Sequence, residues 1–307
     1  KVFWIASVLA FGRALSFTST NTTHKHWLML IFALSSLTFT WSATFNNHSL
    51  AASSLMIALM FYLKAKHTGT TLDLLWSGLF FGLAASMDIP SGVFLVGFGV
   101  LVFKTWSIHK HSLGFLITAA IPIGVHLGVN YYLGKTFLPL LMVPEFFDYP
   151  GSAWTGGMHL NSFMFFIKYA FISLLGTDGF LWYNPLLFIL IPALFFAARN
   201  DSQYRQESLV ILSASMILIT YYFLFTANYG GWSYSIRWFV PLLPFFYFYL
   251  YAIQEKRASK QKGRVYQALI VISVIIALVG QINPWSNPDY HQISFFANLM
   301  QLSQFIF

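Results

Sequence analysis

Ten apolar runs punctuate this chain and constrain its fold more than any other feature. They cover roughly residues 2–17, 27–44, 49–63, 72–87, 91–104, 113–133, 180–198, 208–226, 238–254 and 265–281. About 17–25 consecutive apolar residues are enough to carry a helix across a bilayer; the run 91–104 is short and relies on its neighbours. Lipid offers no partners to backbone amides, so each run must satisfy its own as a helix. The alternating pattern of a membrane barrel is absent. The expected fold class is therefore all-α: a polytopic transmembrane helix bundle of about ten spanning helices, a single domain over residues 1–307.

Charge is too scarce for a soluble alternative. Only 8% of residues are charged and 57% are hydrophobic, with a mean hydropathy of +0.66. A soluble domain carries roughly 25% charged residues, and needs them to cover its surface. Aromatic residues are abundant, with 34 Phe, 16 Tyr and 10 Trp, which suits lipid contact, interfacial belts and apolar ligand grooves. Cysteine is absent, so disulfides and thiolate metal sites are excluded. The opening run follows Lys1 directly, is interrupted by Arg13 and meets no clear small-residue cleavage site. It reads as a helix of a chain lacking its natural N-terminus rather than as a signal peptide.

Sixteen of the seventeen basic residues sort by side, and Arg13 sits within the first helix. Ten helices place Lys25, Lys64, Lys66, Lys104, Lys110, Arg199, Arg205, Lys256, Arg257, Lys260, Lys262 and Arg264 in one set of alternate loops. The opposite set holds Lys1, Lys135, Lys168 and Arg237. The twelve-residue side is cytoplasmic by the positive-inside rule, which also accounts for the net charge of +8 without nucleic acid. The far side carries Asp88, Glu145, Asp148, Asp178 and Asp289 with His48, His159 and His291. It also holds the one long connection, residues 134–179. Within that loop Leu160–Gly176 is amphipathic, with Phe163, Phe166, Ile167, Ala170, Phe171, Leu174 and Leu175 at helical spacing and Lys168 apart. This is the pattern of an interfacial helix; a half-spanning helix is the alternative. Gly78-x-x-x-Gly82-x-x-x-Ser86 and Gly124-x-x-x-Gly128 are expected to bring helices into close contact.

Ionisable groups near lipid are kept when paired or used, so they are the candidates for chemistry. Asp88, in Ser86-Met-Asp-Ile-Pro-Ser-Gly92, is either a carboxylate facing an outward cavity, as base or hydroxyl binder, or a helix cap. His48, after Phe45-Asn46-Asn47, either binds a ligand or starts a helix. His126 reads as a packed mid-helix residue. The pairs His24/His26 and His109/His111 lack further ligands at metal spacing. Arg237, in Tyr229-Gly-Gly-Trp-Ser-Tyr-Ser-Ile-Arg-Trp238, stands on the side otherwise poor in Arg. It can grip a phosphate bidentately, with Trp232, Tyr234 and Trp238 offering faces to a sugar or isoprenoid. The alternative is an interfacial belt in which Arg237 pairs with Asp88 or Asp178. Pro144-Glu-Phe-Phe-Asp148-Tyr-Pro-Gly-Ser-Ala-Trp154 suits carbohydrate or an ordinary packed loop, and Gly176-Thr-Asp-Gly179 suits a turn. No phosphate-binding loop, dinucleotide glycine motif, zinc-protease helix or nucleophile elbow occurs, and no cofactor is expected.

Four segments, in order, carry a resemblance. Gly78-Leu-Phe-Phe-Gly-Leu-Ala-Ala-Ser-Met-Asp-Ile-Pro90 is similar to the glycine-rich helix and polar turn of polytopic, lipid-carrier-dependent glycosyltransferases of the GT-C superfamily. Phe147-Asp-Tyr-Pro-Gly151 and Leu174-Leu-Gly-Thr-Asp-Gly-Phe-Leu-Trp-Tyr-Asn-Pro185 resemble the loop and helix start of their bacterial family 39-like members. Tyr229 to Phe245 resembles that group's Gly-Gly-Trp-Ser-x-Gly-x-Arg signature, with Ser235 at the usual glycine. The resemblance covers roughly residues 27–255. It implies transfer of a sugar from a polyprenyl-phosphate donor to an acceptor on the outer face, by a protein of the bacterial inner membrane. On that basis Arg237 would bind the phosphate, and Trp232 and Tyr234 the sugar or lipid. Asp88, His48 and Asp148 would line the acceptor side. The implied catalytic carboxylate belongs to a first outer loop, which would lie upstream of Lys1, since no Asp or Glu precedes Asp73. Asp88 is the catalytic candidate within the chain. The other readings are a transporter or lipid-carrier flippase, disfavoured because charge gathers at one face rather than centrally, and a non-catalytic membrane subunit.

Overall fold

The structure is a computed structural model describing residues 1–18, 21–106, 110–139, 142–146, 160–201, 203–226, 233–254, 260–286 and 293–306. It is all-helical, with no strand among the described residues. Five helices are long and apolar enough to cross a membrane, as an integral membrane protein requires: Asn47–Thr68, Ile89–Trp106, His111–Gly134, Arg205–Phe225 and Gly263–Ile282. They correspond to five of the ten apolar runs, so the expected count of ten spans is not reached at full length.

The remaining runs are shorter or broken, for local reasons. The first is α1 (Val2–Leu15). The run 27–44 divides into α2 (Thr22–Ser35) and α3 (Leu37–Trp41) because Ser36 leaves helical geometry and caps the Thr38 N–H. The run 72–87 is α5 (Thr71–Met87). The run 180–198 begins with turns, and its helix, α9, spans Leu187–Asn200. The run 238–254 holds Pro241 and Pro244. It folds as a 3₁₀ turn over Arg237–Leu242, then α11 (Leu243–Phe248) and α12 (Leu250–Gln254), because proline removes a donor and crowds the preceding turn. Of the longer helices, α4 is Asn47–Thr68, α6 Gly92–Trp106, α7 Lys110–Gly134, α10 Arg205–Phe225 and α13 Lys260–Ile282. The amphipathic stretch of the long loop is α8 (Phe163–Leu175), capped by Ser162. Phe163, Ile167 and Phe171 on it face outward. A final helix, α14 (Ser294–Ile306), lies beyond the runs identified in the sequence.

Helix α4 is the centre. It packs against α5, α1, α11 and the 237–242 turn, and 72% of its apolar window is buried against 17% for α7. Outer helices present Val96, Val100, Ile117, Ile121, Val125, Ile272 and Ile275 to the exterior. A contiguous apolar exterior of this kind is disfavoured in water and favoured in lipid. The close approach expected at Gly78 and Gly82 is present: a Cβ would lie 2.2 Å from the Phe115 carbonyl oxygen and 2.1 Å from that of Ala119 on α7. The expectation for Gly124 and Gly128 is corrected. No atom lies within 4 Å of a Cβ at either, since the C-terminal half of α7 runs along the exterior.

Polar contacts pin α4, α5 and α10 at both ends. Lys64 Nζ reaches Asp73 Oδ1 at 2.8 Å and Lys66 Nζ reaches Glu207 Oε1 at 2.6 Å. At the opposite end His48, Asp88 and Tyr222 meet. The two sets are separated by fifteen to eighteen residues on each element, about 22–27 Å at 1.5 Å per residue. The bundle thus has a basic end, bearing Lys64, Lys66, Arg199 and Arg205, and an opposite end bearing the candidate site.

Candidate functional site

The site forms where α5 stops. The Asp88 N–H still bonds Ala84 O, but its backbone turns extended before Pro90. Pro90 disfavours helical geometry in the residue preceding it and ends the helix nearby. The Asp88 side chain makes no capping hydrogen bond to the following 3₁₀ turn. Its oxygens instead take side-chain donors: Tyr222 OH donates to Oδ1 at 3.1 Å, and Ser91 OH donates to Oδ2. His48 Nδ1 lies 3.4 Å from Oδ1, an ion-pair distance without hydrogen-bond geometry. Asp88 is 3% exposed, so these neighbours replace water as the surroundings of a buried carboxylate.

His48 is not the cap of its helix. Asn46 does that, accepting from the Ser49 N–H at 2.9 Å, so His48 on the first turn of α4 is left to face Asp88. Tyr222 was not singled out by the sequence: a tyrosine near the end of an apolar helix carries no spacing signal. It nonetheless joins the two halves of the site. Its hydroxyl holds Asp88, and its ring stacks on Trp238 with centroids 5.0 Å apart and planes 1° from parallel.

Arg237 precedes Trp238, whose ring stacks on Tyr222, so it lies at the same end as Asp88. Its guanidinium carbon lies 4.9 Å from the ring centroid of Trp285, another residue the sequence did not mark. Its Nε is buried without a hydrogen-bond partner among the described residues. The pairing with Asp88 or Asp178 is not observed. Asp88 is occupied as above, and Asp178 Oδ1 accepts from Tyr183 OH at 2.6 Å and the Ser294 N–H at 3.2 Å. Among the described residues Arg237 has no carboxylate partner. Burial lowers its pKa from the usual guanidinium value, opposed by attraction to the Tyr222 hydroxyl.

Tyr234 belongs to the packed interior. It is fully buried and bonded at both ends, its hydroxyl donating to Ile276 O at 2.8 Å and its N–H to Pro284 O at 2.9 Å. Its ring meets Tyr183 edge-on at 4.7 Å and sits against Gly280, where a Cβ would lie 2.6 Å from it. The next residue, Ser235, has φ of 64°, the left-handed region that favours glycine. Ser233 OH donates to its carbonyl at 2.7 Å, closing the tight turn that leads to Arg237. Trp232 and Asp148 lie outside the described residues.

An apolar cavity of about 710 Å³ opens beside this turn, lined by Gly176, Trp182, Tyr183, Ile272, Ile276 and Phe295 among others. It shares Tyr183 and Ile276 with the surroundings of Tyr234. A second, polar cavity lies at the basic end. No family model matches the chain, no curated protein matches it, and no solved structure matches it.

Proposed function

We propose that the chain is a membrane glycosyltransferase of GT-C type that takes a sugar from a polyprenyl-phosphate donor and passes it to an acceptor on the extracytoplasmic face. The observation that carries this reading is a half-buried arginine with no carboxylate partner among the described residues, at the same end of the bundle as a buried carboxylate, with an apolar cavity beside the turn that precedes it. Those are the three chemistries of a lipid-linked sugar phosphate: an anion, hydroxyls and a hydrocarbon chain. A phosphate is the partner Arg237 lacks, and its fork of donors fits two phosphate oxygens. The Trp285 ring behind the guanidinium restricts its orientation. The chain of the donor would leave along the cavity lined by Trp182, Ile272 and Phe295.

Asp88 is the carboxylate of the same end. Held by Tyr222 and Ser91 and faced by His48, it is oriented to accept a proton from, or a hydrogen bond from, an acceptor hydroxyl. In an inverting transfer the acceptor oxygen attacks the anomeric carbon while the bond to the phosphate oxygen breaks. The leaving group is then the polyprenyl phosphate that Arg237 stabilises, and the acceptor proton passes to the base.

The test is transfer of labelled sugar from a polyprenyl-phosphate donor by the purified full-length protein. Arg237→Ala is expected to reduce kcat/KM by at least a hundredfold, and Asp88→Asn to reduce kcat with little change in KM. Full transfer by Arg237→Ala would refute the phosphate role. Movement of the lipid-linked sugar across vesicles without chemical turnover would replace the enzyme by a flippase.

A further inference from the structure

The end of the bundle remote from Asp88 carries a second site. A cavity of about 670 Å³ lies where α9 passes into α10, lined by Lys66, Thr105, Arg199, Asp201, Arg205 and Glu207 among others. Its volume falls in the range of small-molecule pockets, roughly 300–1,000 Å³. Three cations against two carboxylates leave it one net positive charge.

The carboxylates are already committed to the fold. Asp201 Oδ1 accepts from the backbone N–H groups of Gln203 and Tyr204 at 2.7 and 3.0 Å, and Oδ2 accepts from Tyr251 OH at 2.6 Å. Glu207 Oε1 accepts from Lys66 Nζ at 2.6 Å and Tyr62 OH at 3.1 Å. Arg199 and Arg205, both exposed, are left without an ion pair among the described residues. Between them begins α10, a helix of 21 residues whose N-cap, Tyr204, supplies no side-chain capping bond. Asp201 Oδ1 caps the N–H groups leading into this helix, and the positive end of its dipole lies beside the cavity. One further atom has no partner among the described residues: Glu207 Oε2, on a residue only 1% exposed. A buried carboxylate oxygen left without a donor is costly, and it asks for a donor from whatever occupies the cavity.

We infer that this cavity binds the phosphodiester headgroup of a glycerol-bearing anionic lipid. The phosphate lies against Arg199 and Arg205 beside the positive end of α10, and a headgroup hydroxyl donates to Glu207 Oε2. The demand is for two chemistries at once, one anion and one neutral donor. Phosphatidylglycerol supplies both, inorganic phosphate supplies an anion and a P–OH donor but no acyl chains, and phosphatidylcholine supplies neither a net charge nor a donor. The cavity opens at the end of spanning helices α4, α6 and α10, where a lipid headgroup lies in a bilayer. A basic, partly enclosed pocket at that level is a recognised form of anionic-lipid site.

The experiment is thermal unfolding of the delipidated full-length protein in neutral detergent, titrated separately with phosphatidylglycerol, phosphatidylcholine and inorganic phosphate. Saturable stabilisation by phosphatidylglycerol is expected, at least tenfold tighter than by phosphatidylcholine. It should weaken at least tenfold in Arg199→Ala/Arg205→Ala, whose exposed side chains can be removed without opening the core. Glu207→Gln, which retains the side chain's shape, is expected to narrow the preference for phosphatidylglycerol over phosphatidylcholine. Equal stabilisation by the two lipids, or an arginine variant that keeps the wild-type affinity, would overturn the inference. Saturation by inorganic phosphate with no response to phosphatidylglycerol would overturn the lipid as the source of the phosphate.

Discussion

Replacing Tyr222 by Phe isolates the contact that joins the halves of the candidate site. The substitution keeps the ring stacked on Trp238 and removes only the hydroxyl that donates to Asp88 Oδ1 at 3.1 Å. In water-soluble proteins a hydrogen bond to a charged group contributes about 1.5–3 kcal/mol. Side-chain pairs between membrane helices average about 0.6 and reach about 1.7 kcal/mol, because the unfolded chain finds other partners in the bilayer. Asp88 and Tyr222 are 3% and 6% exposed, so water cannot replace the lost donor, yet Ser91 and His48 remain at the carboxylate. The expected cost is therefore about 1–1.5 kcal/mol, near the upper membrane figure. In an Asp88→Asn background the acceptor is neutral, and the same substitution should cost less than about 0.5 kcal/mol. The assay is reversible unfolding of the four proteins of this cycle in mixed micelles. A coupling within about 0.3 kcal/mol of zero, the scatter of independent sites, would show that the hydroxyl and carboxylate do not interact and would refute the geometry of the site.

Ser235→Gly should raise the unfolding midpoint. A left-handed L-residue costs about 1–2 kcal/mol, and glycine's extra freedom in the unfolded chain returns about 0.4–1 kcal/mol, leaving a net gain near 0.5–1 kcal/mol in an unfolding titration. Gly82→Ala places a methyl 2.1 Å from the Ala119 oxygen and should destabilise by about 1–3 kcal/mol or more as α5 and α7 separate. Gly124→Ala, with open space around it, should be neutral or stabilising by up to about 1 kcal/mol in the same titration.

The sequence carries much of the frame and only part of the site. The lengths of α4, α7, α10 and α13 follow from the cost of an unsatisfied backbone in lipid, which is a property of composition alone. Closeness at Gly78 and Gly82 is also legible, because only a missing Cβ permits it. Gly124 and Gly128 share that spacing without the contact, since spacing does not say which helix lies opposite. Pro241 and Pro244 announce a break that a count of apolar residues passes over. In the site, Asp88, His48 and Arg237 stand out as rare charges near lipid. Tyr222 and Trp285 do not, being aromatic residues in a chain with sixty of the Phe, Tyr and Trp type; their roles come from long-range packing. Tyr234 misleads in the opposite direction, for a tyrosine beside paired glycines suits a ligand face and an internal strut equally well. Helix α14 lacks the length of a spanning run and is held by tertiary contacts, with Asn298 Nδ2 donating to Val279 O and Asn283 O at 3.1 Å each.

The account turns on which way this bundle faces. The chain has no cysteine, so single introduced thiols report position without background. Phe45→Cys replaces a side chain 91% exposed beside His48, and Arg199→Cys marks the basic end. In intact cells a membrane-impermeant maleimide should label the thiol at position 45 and should reach the one at position 199 only after permeabilisation. The reverse pattern would put Asp88 and Arg237 on the cytoplasmic side and contradict transfer on the outer face.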